Sequence, residues 1–202
     1  MADITEPDSS DRLGLYLTAG AAAIGIVIAV VSTVARLVEV APGHDIPVQV
    51  ALDAQATVLP LGPNGAPVDA TIDSATVVVA DPAPATLVAL WAEPIVAGLM
   101  WIGLLVVAAL FCLRLARAQV FSRSTARLLY IGGGILTVGY LLGTTLANMT
   151  SNGALSSISD GTYETVAVSV SLAPAIGVLV LAAVGTAVQV GERLQRETEG
   201  LV

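Results

Sequence analysis

The sequence predicts an all-α membrane four-helix bundle with both termini cytoplasmic (N-in, C-in) and a small extracytoplasmic β domain. Three observations predict it. Four apolar stretches, Leu13 to Ala35, Pro94 to Leu113, Leu128 to Ala147 and Leu172 to Val190, contain no charged residue. A helix rises about 1.5 Å per residue and the hydrocarbon core is about 30 Å thick, so roughly 20 such residues cross a bilayer. Seven of the eight basic residues lie in segments that four spans would place on one face. The segments left for the other face contain runs in which apolar residues alternate with polar or small ones, the period of a half-buried strand.

Composition points the same way, with 55% hydrophobic and 12% charged residues where a soluble domain has about a quarter charged. All eight basic residues are Arg, a bias expected of a GC-rich bacterial coding sequence. The net charge of −8 argues against direct nucleic-acid binding, which needs a basic surface. Orientation follows from Arg12 before span one, Arg114, Arg117, Arg123 and Arg127 between spans two and three, and Arg193 and Arg196 after span four. By the positive-inside rule these face the cytoplasm, and only Arg36 lies outside.

Taken in order, residues 1–12 form an acidic cytoplasmic tail and residues 13–35 the first span. Thr33-Val34-Ala35 has the small residues of a cleavage site, but the acidic flank and the 23-residue apolar run read as a retained span, since signal cores run about 7–15 residues. The outer segment 36–93 contains four strand candidates. Ile46, Val48, Val50 and Leu52 alternate with Pro47, Gln49 and Ala51; Val68, Ala70 and Ile72 alternate with Asp69 and Thr71; Gln55 to Leu61 and Thr76 to Ala80 are the others. Gly62-Pro63-Asn64-Gly65 reads as a hairpin turn. Asp81-Pro82-Ala83-Pro84 ends the sheet, and Pro94, flanked by Trp91 and Trp101, is expected to start the second helix at the outer interface.

Span two, 94–113, leads into a cytoplasmic Arg-rich loop, 114–127, in which Ser122 or Ser124 caps the third helix and Phe121 anchors at the bilayer surface. Span three, 128–147, contains Gly139-Tyr140-Leu141-Leu142-Gly143, the small-xxx-small spacing of helix packing. Packing of Gly139 and Gly143 within one bundle is preferred to homodimerisation, because the spacing is common in membrane helices. The outer segment 148–171 is expected to be a loop through Gly161. A strand follows over Val166, Val168, Val170 and Leu172, joining the four earlier strands in one sheet. Span four, 172–190, and a cytoplasmic tail, 191–202, complete the chain.

Chemistry-bearing residues are sparse. Cys112 and His44 are each the sole residue of their type, so no disulfide, metal site or cofactor is assigned. Asn148-Met149-Thr150 matches a glycosylation sequon, silent in a bacterium. The spans hold only polar groups such as Thr18, Thr137, Thr144, Thr145 and Gln189, which disfavours an ion pathway. Glu93 reads as a solvated acid at a helix start. No Ser/His pair, metal-binding helix or paired intramembrane carboxylate is present, so no enzyme is expected.

Two segments also resemble a known family. Val120-Phe121-Ser122-Arg123-Ser124-Thr125-Ala126-Arg127-Leu128, with Gly132 following, resembles the recurrent loop of the bacterial domain-of-unknown-function 2975 family. Val190-Gly191-Glu192-Arg193-Leu194-Gln195 and Glu199-Gly200-Leu201-Val202 resemble its tail. The chain departs from the pattern at Gln119-Val120, where relatives often have Gly or Pro, and at Gln189-Val190, where they often have an aromatic residue before the Gly. The resemblance implies a four-span layout over nearly the whole chain. The family has no established activity, and its members are often encoded beside small helix-turn-helix regulators, which implies such a partner here.

The functional expectation is a non-enzymatic membrane sensor or regulator that couples the outer β domain to a cytoplasmic partner. An accessory subunit of a larger transporter, respiratory or envelope complex is the alternative. Arg114, Arg117, Phe121, Arg123 and Arg127 are the candidate contacts for that partner or for membrane lipids, and the positive-inside rule by itself accounts for their charge.

Overall fold

The computed structural model describes residues 9–119, 121–159 and 171–199. Helix α1 (Ser9–Val40) is followed by strand β1 (Ile46–Leu59), a 3-10 turn (Pro63–Gly65) and strand β2 (Val68–Val79). Helices α2 (Pro84–Ala116), α3 (Arg123–Ile158) and α4 (Ala173–Glu199) complete the order. All four helices are long and apolar enough to cross a membrane. Only 6% of the most apolar stretch of α1, and 11% of that of each other helix, is buried within the protein. Leu17, Ile24, Val31, Leu99, Leu141 and Leu179 are among the large side chains left facing outward. A helix that is apolar all round, with no protein covering it, suits a hydrocarbon surrounding rather than water.

Two compact units divide the residues. The helical unit takes the described parts of α1 through Val34, Val96–Leu141 and the chain from Ser171 onward. Helices consecutive in sequence approach closely within it. Gly25 lies against Leu105 and Gly98 against Thr33; Gly103 meets Ile135 and Gly139 meets Met100; Gly132 and Gly177 face Leu181 and Leu136. A side chain on Gly98 or Gly139 would collide with its neighbour, and small residues at such points are what let helices pack closely in an apolar solvent. Ala126, Leu129 and Val188, with Phe111 and Leu181 against them, form the buried cluster of this unit.

The sheet unit spans Ala35–Ile95 and the described part of Leu142–Val170. In place of the four short strands expected, β1 and β2 form one long antiparallel hairpin. Nothing between Leu52 and Gln55 breaks a strand, so the chain stays extended through a bulge: pairing passes from Ala51↔Ser74 to Gln55↔Ile72. Leu52, Asp53 and Ala54 thus stand opposite Asp73 alone. The sheltered face changes sides there, from Ile46, Val48 and Val50 to Thr57 and Leu59 on β1, in keeping with the local twist a bulge introduces. The expected turn is present, with Asn64 and Gly65 both in the left-handed region at φ 59° and 78°.

The core of this unit is Val40, Ile46, Val48, Val50, Val79, Leu90, Ala154 and Leu155. It draws on the end of α1, the hairpin, the start of α2 and the end of α3, and this explains where those helices end. Helix α2 begins at Pro84, ten residues before the expected start, because Thr86, Ala89 and Leu90 are buried. Pro84 takes the first-turn position where proline's missing N–H is harmless. Pro94 therefore lies inside the helix rather than at its start.

Helix α3 likewise runs to Ile158, where a loop through Gly161 was expected. Thr150, Ser151, Ala154 and Leu155 make a buried stripe at helical spacing, and tertiary burial of that stripe overrides the weak helix propensity of the Ser, Asn and Gly around it. Ser157 Oγ and Ser159 Oγ turn back to the carbonyls of Gly153 and Leu155. The Asn148-Met149-Thr150 sequon is consequently helical, with Thr150 buried. The strand expected over Val166 to Leu172 lies outside the described residues except for Ser171 and Leu172, which are exposed and non-strand ahead of α4.

Candidate functional site

A polar cavity of about 360 Å³ lies in the sheet unit. Five elements supply its polar lining: Arg36 and Glu39 from α1, Gln49 from β1, Thr76 from β2, Glu93 from α2 and Thr150 from α3. Arg36 donates to Glu39 and, over 2.9 Å, to the carbonyl of Pro47, so one guanidinium ties the last turn of α1 to β1. Thr150 is buried, and its hydroxyl faces Glu93 Oε2 at 3.0 Å and the Ala147 carbonyl at 2.9 Å. Gln49 and Thr76 are register partners across the hairpin. Their side chains make no hydrogen bond among the described residues, and so remain open to a ligand. Two carboxylates, one guanidinium, an amide and two hydroxyls can together recognise a small polar molecule by charge and hydrogen bonding.

Glu93 was expected to be a solvated helix-start acid. It is instead part-buried in the middle of α2 and hydrogen-bonded across to α3. No local signal marks this set, because its members are scattered from residue 36 to residue 150 and meet only through the hairpin. His44, next to Asp45 at 3.2 Å, is exposed and apart from the cavity.

The residues singled out in the Arg-rich loop belong to the helical unit. Helix α2 ends in a Schellman-type turn: the N–H of Gln119 bonds the Arg114 carbonyl at 2.9 Å and that of Ala118 the Leu115 carbonyl at 3.0 Å. Ala118 sits in the left-handed region at φ 57°, the place usually taken by glycine. Ser122 Oγ then accepts the N–H of Thr125 at 3.2 Å, capping α3. Arg114 reaches Ser124 and the buried Thr125, tying the end of α2 to the start of α3. Arg117 is exposed.

Phe121 packs directly on α4, its ring so close to Gly191 that a Cβ there would collide with it. Arg123 Nε lies 4.0 Å from Glu192 on the same helix. The start of α3 and the end of α4 therefore touch each other. No family model, curated protein or solved structure matches this chain.

Next to this contact, a groove of about 1010 Å³ opens between the start of α3 and the end of α4. Arg123, Arg127, Arg193 and Arg196 line it with Glu192 and Glu197. Of the two expected packing glycines, Gly139 meets Met100 on α2, whereas a Cβ added to Gly143 would meet no side chain or other element within 4 Å among the described residues.

Proposed function

We propose that this chain is a multi-pass bacterial cell-membrane protein with both termini cytoplasmic, working without catalysis as a sensor or regulator. The sheet unit binds a small polar ligand in the Arg36, Glu93 and Thr150 cavity on the outer side. The Arg-rich loop and tail contact a cytoplasmic protein, a small helix-turn-helix regulator being the kind the family resemblance implies. One observation carries this reading. The cavity takes side chains from α1, α2 and α3, and each of these helices continues without a break into its apolar stretch. A ligand that bridges these side chains alters their mutual restraint, and rigid helices are the elements through which such a bias can be passed on.

The test is photocrosslinking in native membranes from a reactive residue introduced at Arg117, with identification of the captured proteins. A small DNA-binding protein is expected. Its capture is expected to fail when Arg114, Arg123 and Arg127 are neutralised while the chain still inserts. Stoichiometric co-migration with a large complex in mild detergent would favour the accessory-subunit reading, and absence of any captured cytoplasmic protein would overturn the regulator.

A further inference from the structure

The groove between α3 and α4 joins arginines of the loop and tail to an apolar strip that the regulator reading does not use. Within a chain of net charge −8 it gathers four Arg against two Glu. The two acids order the guanidiniums: Glu192, only 13% exposed, bonds Arg196 one turn on, and Glu197 bonds Arg193 at 3.1 Å. Arg123, Arg193 and Arg196 keep side-chain exposures of 83%, 82% and 60%, so their unused donors point out of the protein. Arg127 is exposed and has no ion-pair partner among the described residues.

Besides the amide of Gln189, the remaining lining is of another character. Ile131 and Val190 are apolar and about half exposed, and they continue onto the outward apolar faces of α3 and α4. Tyr130, its hydroxyl 3.2 Å from Thr186 Oγ1, joins the two helices where the charged part of the groove gives way to the apolar part. Forked guanidinium donors above a strip of hydrocarbon match an amphiphile with an anionic head. A soluble anion would leave the apolar strip unused. An acidic peptide would have to enter at the depth where the helices turn apolar.

We propose that this groove binds an anionic membrane phospholipid, its phosphate held by Arg127 and Arg193 and an acyl chain laid on Ile131 and Val190. Basic pockets between membrane helices recognise anionic headgroups in this way. The assignment rests on the membrane-spanning reading of the helices; it shares Arg127 with the proposed partner contact, but a lipid readout on the protein without a partner lets it fail separately from the regulator.

The test uses the full chain in phosphatidylcholine liposomes with trace spin-labelled phosphatidylglycerol or phosphatidylcholine, and reads the motionally restricted fraction of each label. Phosphatidylglycerol is expected to be preferred. The preference should fall roughly fivefold in Arg193→Gln, the factor that corresponds to a contact of about 1 kcal/mol. Arg12→Gln, which removes one positive charge outside the groove on the face the loop and tail are expected to share, should leave it unchanged. Equal restriction of both lipids would overturn the proposal, as would equal losses in the two variants. Displacement of the label by soluble glycerol 3-phosphate would also overturn it in favour of a free-anion site. Native mass spectrometry of the unmodified protein from an equimolar mixture of the two lipids provides a readout that needs no variant: retention of phosphatidylglycerol supports the site, and release of both lipids alike contradicts it.

Discussion

The ring of Phe121, just ahead of α3, occupies the space that a side chain on Gly191 of α4 would need. Alanine normally favours a helix interior over glycine by about 1 kcal/mol. Gly191→Ala is nevertheless expected to destabilise the protein by about 1–3 kcal/mol, the usual cost of overpacking. In a Phe121→Ala background the same change should be neutral or stabilising. A double-mutant cycle from thermal unfolding in detergent measures this coupling, and independent effects would disprove the contact.

Thr150 offers Glu93 a hydroxyl across α2 and α3. Thr150→Val keeps the shape and removes the donor, and is expected to cost about 1–3 kcal/mol because a part-buried acceptor loses its partner. Thr150→Ser retains the hydroxyl and should lose less. If valine and serine behave alike in thermal unfolding, the hydrogen bond contributes nothing.

Ala118 holds a left-handed conformation that costs a non-glycine residue about 1–2 kcal/mol. Ala118→Gly should therefore raise stability by up to about 1 kcal/mol, after allowance for the greater freedom of glycine in the unfolded chain. Ala118→Val should lower it. Midpoints of unfolding for the two variants on either side of the parent would bear this out.

Gly139 and Gly143 are four residues apart but differ in surroundings. Gly139→Leu forces a side chain onto Met100 and is expected to cost about 1–3 kcal/mol, whereas a Cβ on Gly143 meets nothing within 4 Å among the described residues, so Gly143→Leu should leave monomer stability unchanged or raise it by up to about 1 kcal/mol through helix propensity. Size-exclusion and crosslinking of Gly143→Leu also address the dimer alternative, since loss of a dimer in that variant alone would assign the Gly143 face to a second copy.

Much of the fold is legible locally. Uninterrupted apolar residues mark the four helices, and Gly62-Pro63-Asn64-Gly65 marks the turn because its Asn and Gly can adopt positive φ. The strands could be found but not counted. Whether Leu52 to Ala54 ends a strand or bulges within one depends on Asp73 standing opposite. The extension of α3 was hidden for a similar reason, since Asn148 to Ile158 has the composition of a loop and becomes helical where Thr150, Ser151, Ala154 and Leu155 are buried. The Arg-rich loop stood out by charge, yet its match to Glu192, Arg193 and Arg196 needed α3 and α4 side by side.

The sequence by itself determined the apolar helices, their charge asymmetry and the hairpin turn, because each follows from neighbouring residues and the solvent they prefer. Tertiary structure alone decided that Arg36, Gln49, Thr76, Glu93 and Thr150 share a cavity and that Phe121 covers Gly191. Such proximities arise from long-range packing, which no period or composition along the chain encodes.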